Sequence, residues 1–442
     1  MDLFTIDGNN NTNGSNSAII FFRTPEINWQ IQKNTMGIQF NIDDIFSDGT
    51  ARRTDVAKAR IFFAVGNENG EVPHTRRTLT KDLGLRPATV SAMVGELIAD
   101  GLVVEVQKVP SAGKGRPEVN LRHLPQRVTA ISIEILSRTI RGVIIDIDGY
   151  AVAQSSVTVN EENAERDVIT KAFETVVDDL LSQRPGKNEI SGIGIALPGI
   201  VDERGLRWIS AARWPRISGL DFHWLAERTG LNVHIERKRQ AELRARLQRR
   251  PQEQNQSVLY VVWGYGISSA YAQNGVVLSS AIGGFGDLGH WLVDPESRRK
   301  CLCGQTGCLE AHAALWALVP GIRAEFPEIP DHPGALENFL RTHDISNLPH
   351  LEQATRLFAL SLHNLFKAFF PDKIVLSGYF PQSPGIAERV RRLFFARMPD
   401  YALGRVAMEI EDLNAADAVI GLATPLFNES LRPLLTATDA RI

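Results

Sequence analysis

Along the chain, apolar residues follow two regimes that meet near residue 128. In the first, Val56, Ala59, Ile61, Phe62 and Ala64 lay an apolar stripe on a short helix, which Asn67-Glu68-Asn69-Gly70 breaks. Thr78–Leu83 predicts a second short helix, ended by Gly84. Arg86-Pro87 opens a third, because proline suits the first helical turn, where its missing N–H has no partner to lose. Val90, Val94 and Leu97 share one face of that helix, and Gly101 ends it. Leu102–Val106 and Glu118–Leu121 then predict two strands around residues 110–117, a loop dense in turn formers.

In the second regime strands alternate with helices. Strands are predicted at Val128–Ile135, Ile140–Ile147, Ile190–Leu197, Val233–Ile235, Val258–Trp263 and Ile374–Leu376, and helices at Arg166–Leu181 and Leu351–Phe369. Such alternation implies an α/β body with helices packed on mixed sheets. Residues 1–50 sustain no period and are rich in Asn, Gly, Ser and Asp. A flexible N-terminal tail is expected there, with Ile19-Ile20-Phe21-Phe22 able to dock on the body. The expected division is 1–50 tail, 51–125 helical head, 126–430 body and 431–442 C-terminal tail.

Charge sharpens this division. The 442 residues carry a net charge of -3, which argues against a protein that coats nucleic acid over its whole surface. Residues 51–127, however, hold thirteen Lys/Arg against eight Asp/Glu. A basic head on an acidic body suits DNA binding joined to metabolite sensing. No apolar run approaches the roughly 20 residues that span a bilayer, and the N-terminus lacks a signal-peptide pattern. A cytoplasmic protein without membrane contact is expected.

Three short helices followed by a β-ribbon form a winged helix-turn-helix plan. The third helix would enter the major groove and present Arg86, Thr89, Ser91 and Ala92. Hydroxyls suit phosphates or base edges, and an arginine grips phosphate or guanine. Lys114 and Arg116 in the wing loop would reach the backbone or minor groove, and Arg76 and Arg77 join the candidate contacts. The competing reading, a small helical domain with solvated charges, leaves the ordered set of elements to coincidence.

All three cysteines fall in Cys301-Leu302-Cys303-Gly304-Gln305-Thr306-Gly307-Cys308. Three thiolates in one tight loop call for a fourth tetrahedral ligand to hold zinc. His290, ending Gly286-Asp287-Leu288-Gly289-His290, is the best fourth, with His312 second. A completed shell means one structural zinc per chain, with no open position for water. Unliganded buried thiols, or a strained Cys301–Cys303 disulfide, are the alternatives.

These motifs resemble the ROK family, which groups bacterial repressors with sugar kinases. Its members carry Glu-x-Gly-His, then Cys-x-Cys-Gly-x-x-Gly-Cys-x-Glu. Here Asp287-Leu288-Gly289-His290 has Asp for Glu, and Cys301 to Glu310 matches throughout. Pro198-Gly199-Ile200-Val201-Asp202, Ala415-Ala416-Asp417-Ala418 and the wing's Gly115-Arg116-Pro117 extend the likeness over about 54–425. The resemblance implies a two-lobed actin-like, hexokinase-like (ROK) domain behind the winged head, a sugar or sugar-derived effector, and a homodimer or homotetramer.

The resemblance also exposes departures. The family's Asp-x-Gly-Gly-Thr phosphate turn corresponds to Glu134-Ile135-Leu136-Ser137-Arg138-Thr139. The second phosphate loop corresponds to Gly264-Tyr265-Gly266-Ile267-Ser268, and the Gly-Gly beside adenosine to Ser377-Gly378-Tyr379. Glu236-Arg237-Lys238-Arg239-Gln240 replaces Glu-Asn-Asp-Ala-Asn, so Lys238 stands where the catalytic base belongs. A protonated lysine cannot take the sugar proton, so no kinase activity is expected. The implied effector residues are Arg213, Lys238, Asp287, His290 and Glu310. Either Arg213 and Lys238 grip an anionic effector, or they pair with Glu236, Asp287 or Glu310 and fill the cleft. The expectation is thus a DNA-binding transcription regulator, a repressor acting on a double-stranded operator. Its rivals are a sugar kinase with an appended head and a regulator that works through a protein partner.

Overall fold

The computed structural model describes residues 3–4, 21–22, 38, 40–47, 49–66, 74–109, 118–136, 138–159, 164–184, 189–280, 286–330 and 333–438. Most of the expected tail, and Lys114 and Arg116 of the expected wing, lie outside the described residues. The chain divides into two compact units, residues 1–196, 221–235 and 419–442 in one, residues 197–220 and 236–418 in the other.

In the first unit, the short helix α1 (Ile42–Ile45) precedes α2 (Arg53–Gly66), α3 (Arg76–Leu83) and α4 (Pro87–Ala99). Ile61 and Phe62 of α2, Leu79 of α3, and Val90, Val94 and Leu97 of α4 are buried together with Ala59. Helix α3 starts two residues before the predicted Thr78. The Thr75 side chain accepts from Thr78 N at 3.2 Å and closes a capping box, which satisfies orphan N–H groups. Gly84 ends α3 at φ 63, a left-handed cap that glycine adopts without strain. Strands β3 (Val103–Val109) and β4 (Glu118–His123) then pair antiparallel.

The same unit holds a seven-stranded sheet. Strands β1 (Leu3–Phe4), β2 (Phe21–Phe22), β5 (Val128–Leu136), β6 (Thr139–Asp146), β7 (Ala151–Thr158), β8 (Glu189–Leu197) and β12 (Val233–Arg237) lie in the order β1-β2-β7-β6-β5-β8-β12. Phe22 pairs antiparallel with Thr158, which joins β2 to β7. Helix α5 (Arg166–Ser182) presses on β6 so closely that a Cβ at Gly142 would stand 2.5 Å from Val176 Cγ1. Helix α13 (Asp417–Leu435) lies on β8, where Gly194 meets Leu422. It runs past the boundary expected at residue 430. A short helix, α6 (His223–Thr229), leads into β12.

The second unit carries a small sheet, β9 (Ile200–Asp202), β10 (Arg207–Ser210) and β11 (Leu220–Asp221), and a five-stranded one. The latter orders β15 (Val276–Val277), β14 (Ile267–Gln273), β13 (Ser257–Trp263), β16 (Lys373–Ser377) and β17 (Ala407–Ile410). Helices α7 (Lys238–Arg249), α8 (Leu309–Ala313), α9 (Leu315–Glu325), α10 (Pro333–Thr342), α11 (Pro349–Phe369) and α12 (Pro384–Phe395) complete the unit. Trp263 anchors its core. The ring stacks on Phe358 at 4.1 Å, and Nε1 donates to Ala313 O at 2.7 Å. Among the described residues no helix is long and apolar enough to cross a membrane.

Asp146 turns β6 into β7 by accepting from Tyr150 N at 2.9 Å and Asp148 N at 3.1 Å. Burial pushes its carboxyl up to about 6, from an ordinary value of 3.8. A raised folded-state value favours the protonated form. The native state therefore loses stability as pH rises through about 6. Asp146→Asn keeps the acceptor and cannot ionise. We expect it to match the wild type at pH 4 and to exceed it at pH 8 by on the order of 2–3 kcal/mol in urea melts.

Candidate functional site

Every candidate metal or effector residue lies in the second unit, and a few close backbone approaches position them. The Gly264-Tyr265-Gly266 turn joins β13 to β14, with Gly264 N donating to Gly266 O at 3.0 Å. The turn Leu288–His290 lies against it, and a Cβ at Gly289 would sit 2.3 Å from Ile267 O. Helix α8 packs on both. Glu310 there accepts from Ile267 N at 2.7 Å, and a Cβ at Gly266 would meet its Oε1 at 2.7 Å. Burial pushes the Glu310 carboxyl above its usual range, against the pull of the Ile267 N–H and nearby His290.

The cysteines form a knuckle. Leu292 bridges to Cys308 and Lys300 to Thr306, and Cys301 N donates to Gln305 O at 2.8 Å. Gly304 and Gly307 take φ of 91 and 74, and a Cβ at Gly307 would strike Asp294 O at 2.2 Å. The turn therefore requires glycine where the motif places it. One ligand atom each from His290, Cys301, Cys303 and Cys308 lie within 4.8 Å of one another. His290 Nδ1 is 3.4 Å from Cys301 Sγ, and Cys303 Sγ is 3.8 Å from Cys308 Sγ. A zinc tetrahedron with bonds of about 2.0–2.3 Å has edges of roughly 3.5–3.8 Å. The donor set and spacing fit that ion. His312, the alternative fourth ligand, is buried on α8 with its Nε2 4.0 Å from Asp294, apart from the cluster. Burial pushes the Cys308 thiol up to about 11 and raises Cys301 as well.

The cationic wall differs from the sequence reading. Strand β12 buries Arg237 at 6 % exposure, with its guanidinium 3.9 Å from Asp287, while Lys238 is half-buried on the first turn of α7. Desolvation lowers the Arg237 affinity for its proton, which Asp287 partly restores. Arg237 was not among the expected site residues. It continues the buried Val233–Ile235 face of its strand, a two-residue period that its charge hid. Arg239 pairs with Glu242 and donates to Ser268 Oγ at 3.1 Å, so it is no solvated charge. Glu236 also accepts from Arg244 Nη2 at 2.8 Å. The Arg213 guanidinium lies 4.1 Å from the Tyr265 ring centroid, a cation–π contact.

The phosphate-loop positions have been refilled. The Tyr379 ring lies against Gly264, within 3.3 Å of where a Cβ would stand. In the other unit, Glu134 of the first turn is buried in a cross-strand ion pair with Arg141.

The head residues are placed separately. Arg86 is the exposed N-cap of α4; Ser91 is exposed, and Thr89 and Ala92 are half-buried. Arg76 pairs with Glu105 at 2.5 Å, and Arg77, 86 % exposed, reaches Glu118 at 3.2 Å.

The sequence pattern of the ROK family matches residues 130–426. The xylose repressor of Bacillus subtilis (strain 168) is 24% identical over 316 residues, 69% of this chain and 78% of that protein. A glucokinase of Halalkalibacterium halodurans is 23% identical over 295 residues, 63% of this chain and 87% of that protein. The crystal structure of a ROK family transcriptional regulator, a homologue of the Escherichia coli Mlc protein, superposes with TM-score 0.66 at 18% identity, covering 87% of this chain and 99% of that one. The motif, the fold and the extent of the match agree: this chain belongs to the ROK family.

Proposed function

We propose that this protein is a DNA-binding transcription regulator, a repressor whose ROK body senses a sugar or sugar-derived ligand without phosphorylating it. The observation that carries the reading is the head itself, in which α2–α4 and the β3–β4 ribbon precede a ROK body. In this reading they form a winged helix-turn-helix, with the exposed Arg86 and Ser91 at the start of the recognition helix α4. The names of the B. subtilis xylose repressor and of the Mlc-like structural neighbour support it. Paired half-sites, and hence a homodimer or homotetramer, follow from the usual symmetry of such readers.

Against phosphoryl transfer stand Lys238 at the base position, Glu134 tied to Arg141, and Tyr379 over Gly264. For the metal, His290, Cys301, Cys303 and Cys308 would hold one zinc and leave no open position for chemistry. Ligation through Nδ1, the atom facing Cys301, leaves His290 Nε2 for a ligand hydroxyl. We further propose an anionic effector, a sugar phosphate or sugar acid, met by Arg213 and Lys238 together with the buried Arg237.

Gel shifts with the DNA upstream of the chain's own gene should show a retarded complex at low salt, weakened steeply as salt rises. Arg86→Ala should weaken it by about 1–3 kcal/mol. No complex with any nearby palindrome would sink the DNA reading. Metal analysis should find one zinc per chain, lost in Cys303→Ala, with affinity falling as pH falls because the thiols must give up protons. Metal-free protein that remains folded would refute a structural role. In thermal-shift screens, phosphorylated or acidic sugars should stabilise the protein more than neutral hexoses, and Lys238→Ala should abolish the difference. Preference for neutral hexoses would overturn the anionic assignment.

A further inference from the structure

The head holds a buried ion network whose remaining partners come from the far end of the chain. Lys58 of α2, 1 % exposed, lies 3.0 Å from both Glu96 of α4 and Asp100, the C-cap of that helix. Its Nζ also donates to Thr436 O at 3.5 Å. One turn earlier Asp55, 3 % exposed, accepts from Ala437 N at 2.8 Å, and Arg52 donates to Ala437 O. Thr438 N donates to Glu96 Oε2 at 3.2 Å. The hydrogen bonds from Arg52 and Ala437 hold the Asp55 carboxyl below its usual range, although burial works against them.

This geometry has a direction. Lys58 is sealed from water, so its charge must be answered by protein, and both answering carboxylates sit at the C-terminal end of α4, one in its last turn and one at its C-cap. The residues that follow α13 reach the same carboxylate, Glu96, and the same turn of α2. Helix α13 begins at Asp417, whose Oδ2 accepts from Arg249 Nη2 at 2.7 Å. Arg249 is the last residue of α7, and α7 opens with Lys238 of the candidate effector site. Helix α13 therefore starts bonded to the helix that carries Lys238, and the residues that follow it bond to Glu96 of α4.

We propose that Thr436–Thr438 form a latch that sets the orientation of α4, so that a shift of α13 is felt at the recognition helix. The regulatory meaning rests on the DNA-binding reading; the latch itself does not. Two changes test it in the full protein. Ending the chain after Leu435 removes all the latch contacts. Glu96→Ala removes the tie to Thr438 but leaves Asp100 to pair with Lys58, so the buried lysine keeps a counter-charge. Amide hydrogen exchange should rise about tenfold or more in α2 and α4, with β5–β8 and the metal content unchanged. Affinity for the upstream DNA should fall about tenfold. Unchanged exchange in α2 and α4 in both variants overturns the latch, as does unchanged DNA affinity in a variant whose head exchange has risen. Raised exchange in a protein that, intact, binds no DNA supports the latch and discards the DNA-binding reading.

Discussion

One buried carboxylate organises the candidate site of the second unit. Glu310 accepts from Ile267 N, and the glycines at 266 and 289 let the β13–β14 turn and the Asp287–His290 turn close around it. Leu315 N then donates to Gly264 O at 3.0 Å, and Leu309 N to Trp291 O at 2.9 Å. The cysteine knuckle, the histidine before it and the cationic wall are thus referenced to one backbone framework rather than to independent loops. A site assembled this way is stiff, because moving any one of its loops breaks hydrogen bonds that water cannot reach to replace.

The features that argue against phosphoryl transfer follow one pattern. Phosphate cradles need open backbone and unpaired charge. Here a tyrosine ring covers Gly264, and Glu134 is already neutralised by Arg141. The Tyr265 side chain gives Arg213 an aromatic face instead of leaving a bare glycine loop. Each of these contacts places a side chain where the family's phosphate loops have bare backbone or an unpaired acid.

What the sequence showed depended on whether polarity tracked burial. The head helices were legible because their apolar residues repeat with the helical period, and the knuckle because its three cysteines are crowded into eight positions. Strand β7 was missed. It lies toward the sheet edge, half-exposed, and its Gln154-Ser155-Ser156 show no alternation. Helix α7 was missed for the opposite reason: it buries charge. Arg246, 1 % exposed, is answered by Glu253 at 3.1 Å, Glu409 at 3.3 Å and Glu411, so its sequence reads as a solvated charge run. Asp55, Lys58 and Arg237 were hidden likewise. Their partners are distant in sequence, and only the fold brings opposite charges together.

The placement of Asp55 and Lys58 also bears on how the protein is made. A chain leaves the ribosome N-terminus first, at about 5–20 residues per second, and its early segments begin to fold as they emerge. The three head helices appear early, but the groups that complete their buried polar network belong to Ala437 and Thr438. For most of its synthesis the nascent chain therefore carries a head whose interior charges are only partly answered. Closure of this polar network therefore waits on residues translated some 382 positions after Asp55, a long-range dependence that couples the packing of α2 and α4 to completion of the fold around them.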